Sequence, residues 1–223
     1  MFVLYETLRS FGGCFALLPW HQQRLEQACK ALNIPCPDLK LLVQPFFGTK
    51  DVRVRVDVDE HGGVGLSTQV LPEWKGSFLY PECWKFTFVD FERERPEFKW
   101  SEDSALRNLR AEHPDFEECL LVDSAGFVRE GSLSSVWLIQ NGVLVTPKEG
   151  MLPGVARAFL LECAERLALP VELRALKRTD FESAEAVFLS NAVRGLVATG
   201  PVHPLMERLV DEASLFIQSK MYA

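Results

Sequence analysis

Val52, Val54, Val56 and Val58 alternate without interruption with Arg53, Arg55 and Asp57. Successive side chains of a strand point to opposite faces, so this spacing predicts a strand with one apolar face and one charged face. Such a strand needs a core on one side and water on the other, the habit of antiparallel sheets rather than of parallel ones buried on both faces. Gly62-Gly63 then turns the chain, and Trp84, Phe86 and Phe88 repeat the alternation. Together these segments predict an antiparallel sheet with helices to one side, an α+β arrangement.

Other periods fill in around that sheet. Tyr5 to Arg9 and Cys14 to Leu17 read as two short strands about Gly12-Gly13, because glycine permits the positive φ angles of a tight turn. From Pro19 to Leu32 the period becomes helical, with Leu25, Ala28 and Leu32 on one side, and Asn33 to Pro37 ends the helix. Asp38 can cap a second short helix. The segment Phe91-Glu92-Arg93-Glu94-Arg95-Pro96-Glu97 is charged, contains a proline and follows neither period, so it reads as a solvated interlobe linker. The expected division is a smaller α+β lobe over residues 1–91, a linker over 92–97 and a larger α/β lobe over 98–223. In the second lobe Glu102 to Ala111 is predicted as a helix, and Asn141-Gly142 between two apolar runs is a strong hairpin signal. A helix from Pro153-Gly154 to about Leu167, a strand over Ala186 to Leu189 and a helix from Leu205 to Ser219 complete the lobe.

A formal net charge of −7 removes the electrostatic footprint that holds a nucleic-acid backbone. No run of eighteen apolar residues exists, and Met1 to Glu6 lacks the basic region and apolar stretch of a signal peptide. Neither nucleic acid nor membrane is therefore expected as a partner, and the cytoplasm is the expected location. Six cysteines stand singly, with no C-x-x-C pair and no histidine at zinc-ligand spacing. They read as reduced thiols, mostly buried, and no metal is expected.

Short nucleotide, hydrolase and metalloprotease motifs are absent. An ordered set remains: Tyr5-Glu6-Thr7-Leu8, His21-Gln22-Gln23-Arg24-Leu25, Phe98-Lys99-Trp100, Val128-Arg129-Glu130-Gly131, Leu152-Pro153-Gly154-Val155-Ala156-Arg157 and Leu189-Ser190-Asn191-Ala192. At these residues the chain resembles the class IV aminotransferases, the fold-type IV pyridoxal-phosphate enzymes. They include branched-chain and D-amino-acid aminotransferases and 4-amino-4-deoxychorismate lyase. The likeness covers most of the chain and is densest from Lys99 to Pro201. It implies a two-lobed, D-amino-acid aminotransferase-like α+β fold, a homodimer and pyridoxal 5'-phosphate as cofactor.

Physical chemistry suits these positions to the implied roles. A Schiff-base lysine must lose its proton near neutral pH, which desolvation favours, and Lys99 sits between two aromatics. The cofactor ring is an electron sink while its nitrogen stays protonated, so an acid belongs beside it, and the resemblance assigns Glu130. Its phosphate needs donors, which a helix first turn supplies at Val155 and Ala156. The resemblance adds Arg24 and Asn191. Arg53, Arg55 and Arg194 are candidate ligands for a substrate carboxylate. The chain departs from the family pattern at Ala156, where threonine is usual, at Ser135, where asparagine is usual, and in a shorter segment ahead of the first strand. The implied substrate is a small amino-carboxylate. Aminodeoxychorismate lyase is the reading preferred, with an aminotransferase and a non-catalytic scaffold as alternatives.

Overall fold

The computed structural model describes residues 3–100 and 104–221. Strand β1 (Val3–Arg9) leads to helices α1 (Leu18–Leu32) and α2 (Leu39–Val43). Strand β2 (Val52–Asp59) then lies between β1 and β3 (Val64–Val70), antiparallel to both. Val54, Val56 and Val58 have no exposed surface and pack with Leu4, Leu8, Leu25, Leu39 and Phe98. The valine alternation thus builds one core as expected. Asp38 caps α2 by accepting the Lys40 N–H at 2.8 Å, and Asn33 ends α1 in the left-handed region at φ 56°.

Cys14 to Leu17 does not form the expected strand. A single bridge joins Phe11 and Cys14 across Gly12 and Gly13, at φ 58° and 78°, and α1 starts at once. Pro19 in its first turn explains this, since a proline fixes helical φ and has no N–H to give a ladder.

The next elements are β4 (Phe86–Asp90), α3 (Ser104–Glu112), β5 (Glu118–Val122) and β6 (Phe127–Gly131). The helix expected from Glu102 thus begins at Ser104 as described, and Glu102 and Asp103 lie outside the described residues. A hairpin of β7 (Ser135–Gln140) and β8 (Val143–Pro147) turns at Asn141-Gly142 with φ 50° and 71°. Then come α4 (Val155–Arg166), β9 (Val171–Arg174), β10 (Leu176–Lys177), α5 (Arg178–Glu182), β11 (Ala186–Asn191), β12 (Gly195–Ala198) and α6 (Pro204–Met221). Among the described residues the strands form three sheets, ordered β1-β2-β3, β10-β6-β5-β4 and β12-β11-β7-β8-β9. Helices α4 and α6 bury Phe159, Leu160, Leu209 and Ile217 against Trp137 and Phe188 of the third sheet.

Trp84, Phe86 and Phe88 do not complete the valine sheet. Strand β4 pairs parallel with β5, Phe88 meets Phe181 of α5 edge-on at 5.0 Å, and Trp84 joins the core of Leu120 and Leu138. Period alone cannot choose a strand's partner, and aromatic packing chose it here. At the other end of the expected linker, Tyr5 N–H donates to the Lys99 carbonyl at 2.9 Å and Phe98 enters the valine core. Residues 98–100 therefore lie along β1. The cysteines are unpaired, and Cys29, Cys119 and Cys163 are buried whereas Cys36 and Cys83 are exposed, so burial holds for half of them.

Val56→Ala removes two buried carbons and is expected to cost about 2–3 kcal/mol of unfolding free energy in urea. Val70→Ala, in strand β3, whose residues are all exposed, is expected to cost less than about 0.5 kcal/mol. Equal losses would contradict the burial of the β2 valines as the core of this sheet.

Candidate active site

The charged face of β2 borders a cleft of about 530 Å³ instead of open water. Every site residue named from the sequence reaches it: Lys99, Arg24, Glu130, Val155, Ala156, Asn191, Arg53, Arg55 and Arg194. A larger surface groove of about 710 Å³ at Asp90, Asp123, Lys177 and Arg178 has mixed charge and contains none of them.

One buried carboxylate ties the early motifs together. Glu6 lies on β1 between Leu4 and Leu8, two positions away on either side, and shares their buried face. It accepts Arg24 Nε at 2.7 Å and Nη2 at 2.5 Å, a two-point guanidinium clamp, and the His21 Nδ1 at 2.7 Å. The His21 and Arg24 positions lie three apart on α1 and so face β1 together. Burial alone would raise the Glu6 carboxyl, but Arg24 and His21 hold it below the ordinary carboxylate range. The remaining Arg24 nitrogen, Nη1, donates to the Pro153 carbonyl at 3.1 Å. Arg24 thus links the valine sheet to the start of α4.

Lys99 is half-buried beside this pair, with Nζ 4.7 Å from the centre of the Tyr5 ring. Burial pushes its amine down, the Arg24 guanidinium adds to the effect, Glu6 opposes it, and Arg55 and Arg53 lower it further, to about 7 from an ordinary 10.5. A lysine of that kind is largely free base above neutral pH and can attack a carbonyl carbon. Arg55 is itself held by Asp57, Nε to Oδ2 at 3.0 Å and Nη2 to Oδ1 at 2.7 Å, and its guanidinium lies 3.9 Å from the centre of the same Tyr5 ring.

Across the cleft, α4 begins at Gly154 with no side chain capping its first turn. Its first N–H groups, including those of Val155 and Ala156, have no partner within the helix and carry the positive end of its dipole. A Cβ at Gly154 would lie 2.3 Å from Ser135 Oγ, so a larger residue there would displace that hydroxyl. The residue that departs from the family pattern therefore packs directly on the helix start. Arg157 anchors the same turn to β8 through Thr146 Oγ1 and the Pro147 carbonyl. Asn191 accepts the Val193 and Arg194 N–H groups at its Oδ1, and its buried Nδ2 has no hydrogen-bond partner among the described residues. A donor left unsatisfied in a cleft wall, beside an uncapped helix and an arginine, fits an anionic group such as a phosphate.

Glu130 is buried and accepts Arg93 Nη1 at 2.9 Å and the Leu152 N–H at 3.2 Å. Arg93 is a correction to the sequence reading, which made it part of a solvated linker. Its side chain is 7% exposed, and it also donates to the Phe98 carbonyl. Nothing in an alternating charged run separates one buried arginine from its neighbours. Glu6 had a signal that went unused, an acid flanked at both second neighbours by buried leucines. Arg107 and Arg110 of α3 also line the cleft and were not singled out. Among the described residues no group of three or more His, Cys, Asp or Glu side chains is placed to hold a metal ion, and no helix is long and apolar enough to cross a membrane.

A near-neutral lysine facing a helix N-terminus across a cationic cleft defines an enzyme site for an anionic, carbonyl-bearing reactant or cofactor. Residues 101–199 match the family described as Amino-transferase class IV. A Thermotoga maritima protein named a probable branched-chain-amino-acid aminotransferase is 27% identical over 92% of this chain and 77% of its own. Aminodeoxychorismate lyase of Bacillus subtilis is 25% identical over 87% of this chain and 75% of its own. A hypothetical aminotransferase from Mycobacterium tuberculosis, solved in an α-ketoglutarate- and PMP-bound form, shares the fold with a TM-score of 0.79 at 18% identity, over 97% of this chain and 89% of that one. The chain is thus similar to class IV aminotransferases over residues 101–199 and to these relatives along most of its length, and the likeness is that of a pyridoxal-phosphate-dependent enzyme. The non-catalytic alternative finds no support among these relatives.

Glu6→Ala leaves a buried guanidinium unpaired and is expected to cost about 3–5 kcal/mol of stability in denaturant unfolding at neutral pH. Because the Glu6 carboxyl is depressed in the folded protein, its contribution is present at neutral pH and fades as pH falls below the ordinary glutamate range. A loss under about 1 kcal/mol would show that the clamp is dispensable. In cofactor-free protein, acylation of Lys99 followed by mass spectrometry is expected to reach half its maximal rate at a pH of about 7. A midpoint near the ordinary lysine value would remove the argument from its surroundings.

Proposed function

We propose that the cleft holds pyridoxal 5'-phosphate and that the enzyme acts as a 4-amino-4-deoxychorismate lyase, releasing p-aminobenzoate and pyruvate. Arg24 and the N–H groups of Val155 and Ala156 would receive the phosphate, with Asn191 Nδ2 as a further donor. Glu130 would stand at the ring nitrogen and Lys99 at the aldehyde carbon. Bound there, the cofactor supplies an electron sink conjugated with the carbon that bears the substrate amine. Lys99 Nζ would take the proton from that carbon and pass it to the departing enolpyruvate, whose C–O bond to the neighbouring ring carbon breaks as the ring becomes aromatic; an amine titrating near neutrality is suited to both transfers. Arg93 fixes the direction of the Glu130 carboxylate.

The observation that carries the choice of substrate is the charge balance of the cleft. Among the described residues eight cationic side chains line it against one carboxylate, that of Glu130. Arg24, Arg55 and Arg93 have acidic partners, and Lys99 is assigned to the cofactor. Arg53, Arg107, Arg110 and Arg194 have no acidic partner among the described residues. Four unpaired guanidiniums suit a substrate with two carboxylates, which aminodeoxychorismate has, better than an aliphatic amino acid with one. An aminotransferase is the second reading, supported by the name of the Thermotoga maritima relative. The proposal extends to a homodimer, on the family resemblance, located in the cytoplasm.

Incubation of cofactor-loaded protein with aminodeoxychorismate is expected to yield p-aminobenzoate and pyruvate in equal amounts. Keto-acid formation from an amino-donor panel, without p-aminobenzoate, would replace the lyase by the aminotransferase. Arg107→Gln with Arg110→Gln is expected to raise KM for the dicarboxylate by about tenfold or more, the scale of one lost charged hydrogen bond.

A further inference from the structure

Glu118, the first residue of β5, has no exposed surface and no cationic partner among the described residues. Its carboxylate is nonetheless filled. Ser132 Oγ donates to Oε1 and Ser134 Oγ to Oε2, each at 2.5 Å, and the Leu133 N–H lies 3.2 Å from both oxygens. The Cys119 N–H donates to Oε1 at 3.0 Å. A buried carboxyl without a cation is costly unless donors surround it, and here three consecutive residues of one loop supply most of them.

That loop follows Glu130 and forms a wall of the cleft. It is closed by the Gly131 N–H on the Ser134 carbonyl at 2.7 Å and by the Ser132 N–H on the Cys119 carbonyl at 2.9 Å. Gly131 is tied to Glu118 as well, since a Cβ at 131 would lie 2.7 Å from the carboxyl carbon. The loop's far end is Ser135, whose hydroxyl seats against Gly154 at the start of α4. The serines face an internal template, and the loop's course between Glu130 and Gly154 follows from it.

We propose that Glu118 is a positioning residue for the cofactor cleft: its carboxyl sets the path of Gly131 to Ser135, and thereby the placement of Glu130 and of the Ser135 contact with Gly154. The inference rests on the reading of the cleft as the cofactor site. Shape, rather than charge, is what the template supplies. A glutamine keeps one acceptor oxygen and offers an N–H₂ group, which a serine hydroxyl can accept by rotating.

The test compares full-length Glu118→Ala, Glu118→Gln and unaltered protein by amide hydrogen exchange without cofactor, then by titration with pyridoxal 5'-phosphate followed by visible circular dichroism. In Glu118→Ala the amides of Gly131, Ser132 and Leu133 are expected to exchange about tenfold faster or more, with the β7–β8 hairpin unchanged. Cofactor affinity is expected to fall about tenfold and the induced band to weaken, while Glu118→Gln stays within about threefold of the unaltered protein. Should Glu118→Ala fail to fold, the double variant Ser132→Ala, Ser134→Ala removes two of the donors and is expected to show the same local pattern. Faster exchange spread evenly over β7 and β8, a Gln variant as damaged as the Ala variant, or an unperturbed loop would each overturn the proposal. If unaltered protein binds no cofactor, the cleft reading fails by itself, and exchange in the cofactor-free protein still decides whether Glu118 shapes the loop.

Discussion

The carboxylate of Glu6 is the point on which the site is assembled. Three short hydrogen bonds fix Arg24 and His21 of α1 to β1, and the free end of Arg24 reaches the residue before Gly154. The same strand accepts residues 98–100 along its other edge, so Lys99 is placed by β1 as well. One strand therefore sets the lysine, the arginine and the approach to the α4 N-terminus. Burial of the Glu6 and Arg24 charges is tolerable because each fills the other's hydrogen-bonding capacity.

The same pair shapes the chemistry of Lys99. Its amine is desolvated within a wall of guanidiniums, and the Glu6 charge that opposes them is already engaged by Arg24. A lysine in open water would be an ammonium at neutral pH and a poor nucleophile. The cationic wall has a second consequence, since it draws anions whatever the details of the reaction. Cofactor phosphate and substrate carboxylates would thus be collected by one electrostatic feature and sorted by geometry, with the helix start taking one and the arginines of β2 and α3 the others.

Much of this was legible in the sequence because it was local or periodic. The valine strand, the Asn141-Gly142 hairpin, the cap at Asp38 and the helix after Gly154 are set by neighbours within a few residues, and they stand as expected. The candidate residues also converge on one cleft, which the order of motifs anticipated. Partner choice was not legible. The alternation of Phe86 and Phe88 says strand, but only the rings of α5 say which sheet. Arg93 looked like its solvated neighbours because its burial depends on Glu130, 37 residues away in the chain. Glu118 was hidden for a similar reason, its serine donors lying 14 and 16 residues further on.

The central claim is that Lys99 bears the cofactor, and its most direct measurement is borohydride reduction of the protein loaded with pyridoxal 5'-phosphate, followed by peptide mapping. The account predicts a stable phosphopyridoxyl label on the peptide containing Lys99 and loss of that label in Lys99→Ala. Labelling of Lys85 or another lysine, with Lys99 unmodified, would contradict it.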